Sequence, residues 1–339
     1  MPRLSFELYL KRQHAQIDRH LADYFNGEQA ASGDMVRYLY APLAEYSANS
    51  GKRHRPLICL LSCEAVGGDP ALALRSAAAI EHFHTAALIH DDIEDDATTR
   101  RDEPCYHIKE GEALAINAGD LALSLVTGSV VADPLLDDAT KIRVLRELVD
   151  MTTRTIEGQA LDIGWVRDDR YDLSIDDYLL MARHKTAFYS GAIPLAVGAI
   201  IGGADDATVE ALRDFGMATG LAFQIQDDIL NLDGADRSKD FRADITEGKR
   251  TLIALHALAH ADAADRTRLL ELLRAHTDDA EQLADAVDIM RRAGSLDYAR
   301  HFAADLVHGA KARLTAALAP SRARELLLSM GDFFIQRSK

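Results

Sequence analysis

Proline and cysteine are scarce in this chain of 339 residues, which contains 8 prolines and 3 cysteines. Cys59 and Cys63 stand four residues apart and Cys105 is isolated, a pattern that predicts neither a disulfide framework nor a zinc ribbon. Because proline is rare and apolar residues recur at three- and four-residue intervals, we expect long helices. With 48% hydrophobic residues, the chain can bury a sizeable core, and we predict an all-α fold with a single domain over residues 1–339.

Positive charge is also scarce, since 38 Lys and Arg residues stand against 54 Asp and Glu, for a net charge of −16 at pH 7. This balance disfavours nonspecific binding to nucleic acid and attraction to anionic membranes. Residues 1–7 lack the apolar core of a signal peptide. The most apolar stretch, 187–201, is too short to span a bilayer and contains Pro194. We therefore expect a cytoplasmic protein with no nucleic-acid partner and no stable membrane insertion.

Two acidic clusters lie within apolar stretches: LIHDDIED at 88–95 and IQDDILN at 225–231. Asp91 and Asp95 are four residues apart and would share one face of a helix. One such cluster alone is also typical of a solvated helix end, but unpaired carboxylates among apolar residues are costly. Oxygen ligands without cysteine favour Mg²⁺, which commonly binds carboxylates together with substrate phosphates. We predict that Asp91, Asp95 and Asp227 share a Mg²⁺ site that binds a diphosphate.

Basic motifs accompany the acidic clusters. The sequence GKRHRP occupies residues 51–56, and Arg100 and Arg101 follow the first cluster. Guanidinium groups suit phosphate oxygens because they bind them in bidentate geometry. A solvated run of charge is the alternative interpretation of residues 52–55 taken alone.

Each acidic cluster leads into a polar segment that we predict to be a charged loop. These segments are 97–112 and 233–249, and the second contains Lys239, Asp244 and Lys249.

Two helices are predicted around the second cluster. Ser174 to Asp177 has the pattern of a capping box, which would begin a helix that ends near 202–203. Another helix should span about 207–232. On that helix Gly216 and Gly220 would leave room for a ligand or for a closely packed helix.

Taken together, these motifs resemble those of the trans-isoprenyl diphosphate synthases, also called polyprenyl synthetases, across nearly the whole chain. Further matches to the family's motifs are Gly158-Gln159 with Asp162, Lys185-Thr186, residues 223–228, and residues 247–249 with Thr251. The chain departs from the family pattern at Ser50 and Asp102, where glycine is usual, and at Asn231, where many members have aspartate. The neutral residue at 231 resembles a variant of short-chain synthases.

The resemblance implies an isoprenoid-synthase-type helical bundle around a central cavity, and a homodimer. It also implies head-to-tail condensation of isopentenyl diphosphate with an allylic diphosphate, with three Mg²⁺ ions in each active site. The metals would stabilise the negative charge that grows on the departing diphosphate. No side chain is assigned as general base, because the family mechanism gives the proton to the released diphosphate.

Residue roles are carried over from the matching motifs. Expected contacts of isopentenyl diphosphate are Lys52, Arg55, His84 and Arg101. Residues expected to assist binding of the allylic diphosphate are Arg100, Lys185, Gln224 and Lys239. Lys249 is expected to bind substrate. Groups expected to stabilise the cationic centre or its leaving group are Lys185, the Thr186 carbonyl and Gln224. Asp92, Asp228 and Asn231 are expected not to bind the metal directly but to lie next to its ligands, where Asp92 and Asp228 would orient metal-bound water.

We expect the residues that precede the first cluster to set product length, with residues of another helix as the alternative. Ala87, Ala86 and Phe83 lie four, five and eight positions before Asp91, approximately on the same helical face. The two alanines would leave the upper cavity open, and Phe83, roughly 11 Å below, could form its floor. We expect a short-chain product, geranylgeranyl diphosphate first and farnesyl diphosphate next. The alternative is that Phe83 only packs in the core.

Other functions share parts of this pattern. A class I terpene cyclase uses similar metals but has little use for the basic isopentenyl site. His82, His84 and His90-Asp91 superficially resemble an HD-type metallophosphohydrolase, which leaves the second cluster unexplained. A noncatalytic subunit of a heteromeric synthase, or a synthase of longer polyprenyl diphosphates, are further alternatives. The tail, 333–339, resembles a basic lid of some family members, although terminal fraying is the usual interpretation.

Overall fold

The computed structural model describes residues 5–25, 30–49, 51–101, 103–233 and 242–336, and helices dominate these ranges. The α-helices are α1 (Phe6–Tyr24), α2 (Gly33–Met35), α3 (Ala41–Ala48), α4 (His54–Ala65), α5 (Leu74–Glu94), α6 (Tyr106–Glu110), α7 (Glu112–Val131), α8 (Asp138–Arg167), α9 (Ile175–Ala182), α10 (Ile193–Ile201), α11 (Asp206–Asp233), α12 (Ala243–Thr246), α13 (Leu252–His260), α14 (Ala263–Arg274), α15 (Ala280–Arg292), α16 (Ser295–Ala317) and α17 (Arg322–Gln336). The remaining regular elements are π-helical turns at Val36–Tyr40 and Arg183–Ala192, a 3₁₀ turn at Pro70–Ala73, and strands β1 (Thr99–Arg100) and β2 (Glu103–Pro104). The all-α prediction is confirmed.

The prediction of a loop over 97–112 is wrong. β1 and β2 form an antiparallel hairpin in which Thr99 lies opposite Pro104, and α6 and the start of α7 follow. The Cys105 N–H donates to the Thr98 carbonyl at 3.1 Å and closes the hairpin. Tyr106 is buried and its ring packs edge-on against Tyr46, with the centroids 5.8 Å apart. Two-residue strands are too short to produce an alternating apolar pattern.

The chain groups into two compact units. Unit 1 comprises Met1–Thr152, Ile193–Leu212 and Leu318–Leu327, and unit 2 comprises Thr153–Ala192, Arg213–Ala317 and Leu328–Lys339. The single-domain assignment therefore stays a prediction.

In unit 1, α5 packs along α7, and α4 packs along α10. One of its apolar clusters joins α3, α5 and α7 through buried side chains that include Leu43, Ala86, Ile89 and Ala118. Cys59 is also buried in this unit, and burial raises the pKa of its thiol well above the ordinary value. That thiol is therefore protonated and unreactive at neutral pH.

In unit 2, a large apolar core joins α9, α11 and the helices from α13 to α16. α9 begins as predicted, because the Ser174 hydroxyl accepts from the Asp177 N–H at 3.2 Å and the Asp177 carboxylate accepts from the Ser174 N–H at 2.8 Å. These two bonds form a capping box. The helix then passes through the π-helical turn at 183–192 and ends at Ile201, close to the predicted bound.

The two glycines of α11 serve close helix packing. A Cβ at Gly216 would lie 2.3 Å from the carbonyl oxygen of Gly191, and a Cβ at Gly220 would lie 2.9 Å from the Cα of Ala187. Such distances are shorter than any ordinary carbon contact. Of the two roles left open by the sequence, the closely packed helix is therefore the one these glycines serve.

One helix within the described ranges, α7, is long and apolar enough to cross a membrane by length and composition. Helices in the core of soluble proteins meet the same criteria, and α7 packs against α5. The stretch 187–201 that the sequence marks as most apolar is largely buried. The absence of membrane insertion stays a prediction.

His82 should make the fold sensitive to acid. Its ring is fully buried and packs edge-on against Phe25 with the centroids 4.8 Å apart. Burial, together with the charges of His20 and Arg53, lowers the pKa of His82 from 6.5 to about 3. The unfolded chain therefore binds a proton that the folded chain excludes, so stability that is complete above pH 6.5 declines as the pH falls toward 3.

We predict that His82→Leu removes about 2 kcal/mol of the stability loss between pH 7.5 and pH 5.0, measured by urea unfolding at both pH values. The exposed His308, changed to Gln, is the control and should leave the difference between the two pH values unchanged. An identical pH difference in the wild type and in His82→Leu would contradict the prediction.

Candidate active site

The first acidic cluster lies at the carboxyl end of α5. The Asp95 N–H donates to the Asp91 carbonyl at 2.9 Å, so the two residues remain one turn apart. The Ala97 N–H donates to the Asp92 carbonyl at 2.9 Å, and Asp96 adopts φ 51°, which is the geometry of a Schellman turn. A helix carboxyl end carries partial negative charge. Carboxylates at this position therefore favour a bound cation.

Asp92 is fully buried and both of its carboxylate oxygens have donors. The Tyr46 hydroxyl donates to Oδ2 at 3.0 Å, and Arg100 Nε donates to Oδ1. Arg100 Nη2 also donates to Asp91 Oδ2 at 3.2 Å. Burial disfavours the charged guanidinium, but Asp92 and Asp91 outweigh that effect and raise the pKa of Arg100. Both Asp92 oxygens are therefore occupied by hydrogen bonds within the protein, whereas Asp91 and Asp95 are half-buried and accessible to solvent.

A group of basic residues forms in the same unit. Arg101 has φ 55°, and its Nη1 donates to the Asn49 carbonyl at 2.7 Å. A Cβ on Gly51 would lie 3.0 Å from Arg101 Nη2, so glycine at this position makes space for the guanidinium. His84 is buried, and burial together with the charges of Arg55 and Arg101 lowers its pKa well below the ordinary value. Arg55 and Arg101 therefore act electrostatically on His84, and the predicted contacts of these three residues with isopentenyl diphosphate stay predictions.

Arg53 anchors the segment that carries this basic motif. It is buried, precedes α4 and has φ 48°. Its Nε donates to Asp18 at 2.9 Å, its Nη1 donates to Glu81 at 2.7 Å and its Nη2 donates to the Ser47 carbonyl. α1, α3 and α5 are thus all tied to the start of α4. The basic residues on either side of Arg53 are held on a fixed backbone.

In unit 2, Gly158 and Asp162 of α8 position Lys185. A Cβ at Gly158 would lie 2.2 Å from the backbone nitrogen of Lys185, so only glycine allows the close approach. One turn later, Asp162 Oδ2 accepts from Lys185 Nζ at 2.5 Å and lies 3.5 Å from Lys249 Nζ. Burial would raise the pKa of Asp162, but the two lysines outweigh burial and lower it. A single buried carboxylate therefore holds both ammonium groups in place.

A hydrogen-bonded chain links the π-helical turn at 183–192 to α9 and α11. The Thr186 hydroxyl donates to Gln224 Oε1 at 2.6 Å, and Gln224 Nε2 donates to Asp228 Oδ1 at 2.7 Å. The Tyr178 hydroxyl donates to Asp228 Oδ2 at 2.7 Å. Burial raises the pKa of Asp228 to about 7, although the bonds from Tyr178 and Gln224 oppose the shift. These hydrogen bonds fix the orientation of the Gln224 amide, with Oε1 toward Thr186 and Nε2 toward Asp228.

Asn231 acts through its neutral amide. Its Oδ1 accepts from the Asp244 N–H at 3.2 Å and its carbonyl accepts from the Arg242 N–H at 2.8 Å. Burial, Asp228 and Glu247 together raise the pKa of Asp244 well above the ordinary value. An aspartate at 231 would add another negative charge to this crowded region. Asparagine supplies the same acceptor without that repulsion.

The three predicted magnesium ligands belong to different units: Asp91 and Asp95 to unit 1 and Asp227 to unit 2. Within the described part of the chain, no three His, Cys, Asp or Glu side chains form a metal-binding group on their own. Carboxylates alone nevertheless fit Mg²⁺, which completes its coordination with water and substrate phosphates. The shared site stays a prediction.

Several predicted site residues lie on α5 before the first cluster, and others lie outside the described residues. Phe83 and Ala86 are buried and Ala87 is half-buried, and Ala86 packs in the apolar cluster against α7. The chain-length roles of these residues stay predictions. The remaining candidates lie outside the described residues: Ser50, Asp102, Lys239 and residues 337–339.

Four residues of the site were not assigned a role from the sequence: Tyr46, Asp162, Tyr178 and Asp244. Asp162 belongs to a matched motif, Gly158-Gln159 with Asp162, and Asp244 lies three residues before the matched residues 247–249, so the sequence held a signal for both. The two tyrosines carry no such signal. In sequence they are typical core residues, and only the fold places their hydroxyls against buried carboxylates.

Comparisons with known proteins show which family the chain belongs to. The polyprenyl synthetase family model matches residues 36–290. A short chain isoprenyl diphosphate synthase from Methanothermobacter thermautotrophicus is 43% identical over 289 residues, which covers 85% of this chain and 86% of that protein. The crystal structure of geranylgeranyl pyrophosphate synthetase from Pyrococcus horikoshii superposes with a TM-score of 0.88 at 34% identity and covers 98% of both chains.

A third similar protein was solved with ligands. The geranylgeranyl pyrophosphate synthase from Corynebacterium glutamicum, in complex with isoprenyl diphosphate and magnesium, has a TM-score of 0.87 at 26% identity and covers 98% of this chain and all of that one. The fold and these matches define a prenyltransferase. The chain belongs to the polyprenyl synthetase family, which confirms the resemblance seen in the sequence.

Gly158→Ala should displace Lys185, because the added Cβ would meet the Lys185 backbone rather than a flexible side chain. We expect kcat to fall by about tenfold or more, since small displacements of positioned groups have effects of this size. Steady-state kinetics and thermal unfolding measure the change. The control on the same helix is Gly164→Ala, where a Cβ would have no neighbour within 4 Å. Equal activities of the two variants would contradict this account.

Proposed function

We propose that the chain catalyses Mg²⁺-dependent head-to-tail condensation of isopentenyl diphosphate with an allylic diphosphate, in the cytoplasm, with geranylgeranyl diphosphate as the main product. The observation that carries the proposal is the basic group of Arg55, His84 and Arg101 in unit 1. Phosphate oxygens suit such a group. A terpene cyclase binds one diphosphate and would have little use for this group in addition to the acidic clusters.

Asp91, Asp95 and Asp227 would hold the metal, and we propose three Mg²⁺ ions for each site. When bound, Mg²⁺ would neutralise the negative charge that grows on the departing diphosphate. Asp92 supports the binding geometry, because its bonds to Tyr46 and Arg100 fix the end of α5.

The lysines and amides of unit 2 act on the allylic substrate. Lys185 and Lys249, held at Asp162, would bind its diphosphate. Gln224, oriented by Thr186, and the Thr186 carbonyl would stabilise the positive charge that forms on the allylic carbon. The released diphosphate accepts the proton that is lost after the new carbon–carbon bond forms.

The basic group of unit 1 would hold isopentenyl diphosphate. Lys52 is exposed at the start of the motif, whereas Arg55 is buried behind it. His84 is neutral in this cationic setting because burial, Arg55 and Arg101 lower its pKa. A neutral imidazole can donate one hydrogen bond to a phosphate without adding a third positive charge to the group.

The C20 product is supported by the names of the two similar solved proteins and by the buried Phe83, which we propose as the floor of the chain cavity. A longer product is the alternative, because a geranylfarnesyl diphosphate synthase from Natronomonas pharaonis is also 36% identical over 306 residues.

In the direct test, purified protein is incubated with Mg²⁺, labelled isopentenyl diphosphate and one primer at a time: dimethylallyl, geranyl or farnesyl diphosphate. The chain length of the labelled products is then measured. We expect every primer to be elongated to the same C20 product and elongation to stop when the metal is chelated. Elongation that continues after chelation, or hydrocarbon formed from farnesyl diphosphate alone, would contradict the proposal. A dominant C25 product would refute the assignment of length while leaving the reaction intact.

We also propose that the chain is a homodimer that uses the outer face of α8. Four large apolar residues on this helix are exposed at seven-residue intervals: Ile142 (52%), Val149 (55%), Ile156 (58%) and Ile163 (37%). A seven-residue repeat places them in one stripe along the helix. Soluble monomers rarely expose so continuous an apolar surface, and a second copy would bury it.

Ile156→Glu should therefore convert the dimer to a monomer, because it places a charge in the middle of the stripe. Size-exclusion chromatography with light scattering measures the mass in solution. Leu180→Glu alters another exposed apolar residue (47% exposed) on α9 and should remain dimeric. A wild type that is monomeric, or an Ile156→Glu variant that is still dimeric, would overturn the assignment of the interface.

A further inference from the structure

Arg250 follows the motif residues Glu247 to Lys249 directly but is not part of the matched motif. Its side chain is 1% exposed and is one of the largest fully buried side chains among the described residues. The guanidinium lies on the face of the Tyr171 ring, with Cζ 4.0 Å from the centroid. Nη2 lies 3.7 Å from Asp169 Oδ1. A cation buried this deeply is costly, so the fold retains it against a considerable penalty.

The guanidinium joins two turns of the backbone. Its Nε donates to the Arg170 carbonyl at 2.8 Å, and its Nη1 donates to the Gly248 carbonyl. The first carbonyl belongs to the turn that ends α8, where the Arg170 N–H donates to the Trp165 carbonyl at 2.9 Å and Asp169 has φ 51°. This is a Schellman turn, which fixes the direction of the carbonyl.

The second carbonyl belongs to a turn of the same kind at the end of α12. The Lys249 N–H donates to the Asp244 carbonyl at 2.8 Å, and the Gly248 N–H donates to the Ile245 carbonyl at 3.0 Å. Gly248 has φ 66°, which a glycine adopts without strain. Arg250 therefore fixes the carbonyl immediately before Lys249.

Each of the two turns adjoins one partner of the contact between Asp162 and Lys249. This carboxylate lies on α8, the helix whose end Arg250 holds, and it is 3.5 Å from Lys249 Nζ. Lys249 lies between Gly248 and Arg250 in the chain, so the bond from Arg250 to Gly248 keeps this short segment in one conformation, and the bond from Arg250 to Arg170 ties the segment to the end of α8. The guanidinium thus controls the backbone on both sides of the contact between Lys249 and Asp162.

We propose that Arg250 is a positioning residue that holds the Lys249 ammonium at Asp162 and thereby sets the affinity of unit 2 for the allylic diphosphate; this inference rests on the proposed function. Arg250 itself is buried and touches no reacting group. A lysine could not replace it, because two carbonyls in different directions and a ring face require a planar fork with several donors.

The test compares Arg250→Lys with Arg274→Lys. Arg274 belongs to the same cluster, since its Nε donates to Asp169 at 2.8 Å and its Cζ lies 5.7 Å from the Tyr171 centroid, but it is half-exposed and has no bond to Gly248. We expect Arg250→Lys to raise KM for the allylic diphosphate by about tenfold and to leave KM for isopentenyl diphosphate unchanged. Arg274→Lys should change neither KM.

A double-mutant cycle with Lys249→Ala separates positioning from general destabilisation. If Arg250 acts through Lys249, then Arg250→Lys adds no further increase in allylic KM to the Lys249→Ala variant. The proposal would be overturned if the increase in allylic KM of the double variant equalled the product of the two single-variant increases. It would also be overturned if Arg250→Lys alone raised both KM values equally.

Tyr171→Leu is the second variant, in case Arg250→Lys folds poorly. It removes the ring that supports the guanidinium and leaves Arg250 in place, so we expect a smaller increase in allylic KM in the same direction. An unchanged KM would contradict the inference. A wild type that elongates no primer would instead refute the proposed function, on which this inference depends.

Discussion

The constraint on which the active site depends is that a charge withdrawn from water needs a partner inside the protein. Asp162 illustrates it, because this buried carboxylate holds the ammonium groups of Lys185 and Lys249. Asp92 does the same in unit 1 with Arg100 and Tyr46. These internal pairs fix the cations and the helix ends before any substrate binds. Electrostatic groups arranged in advance need little reorganisation during the reaction, which is the main source of catalysis in such sites.

The same pairing explains the local backbone. Gly158 allows α8 to approach Lys185. Residues in the left-handed conformation end α5, α8 and α12, so the backbone turns sharply close to the charged residues Asp92, Asp162 and Lys249. These conformations favour glycine, yet Asp96 and Asp169 adopt them. The surrounding hydrogen bonds therefore stabilise a geometry that is otherwise mildly unfavourable.

Most of the fold and the chemical class could be predicted from the sequence, because helical periodicity, the capping box at Ser174 and the motif residues are local patterns. The hairpin at 99–104 was missed because strands of two residues leave no pattern. The partners of Asp92 and Asp228 were missed because Tyr46 and Tyr178 meet those carboxylates only through the folding of distant segments. The roles of Gly216 and Gly220 likewise required the backbone of the neighbouring π-helical turn.

We propose that the carboxylates of both acidic clusters bind the metal ions of one reaction. The most direct test of this proposal measures the Mg²⁺ concentration for half-maximal elongation in the wild type, Asp91→Asn and Asp227→Asn, with the exposed Asp214→Asn on α11 as control. We expect an increase of at least about tenfold in both cluster variants and no change in the control. An unchanged Mg²⁺ requirement in either Asp91→Asn or Asp227→Asn would contradict the account.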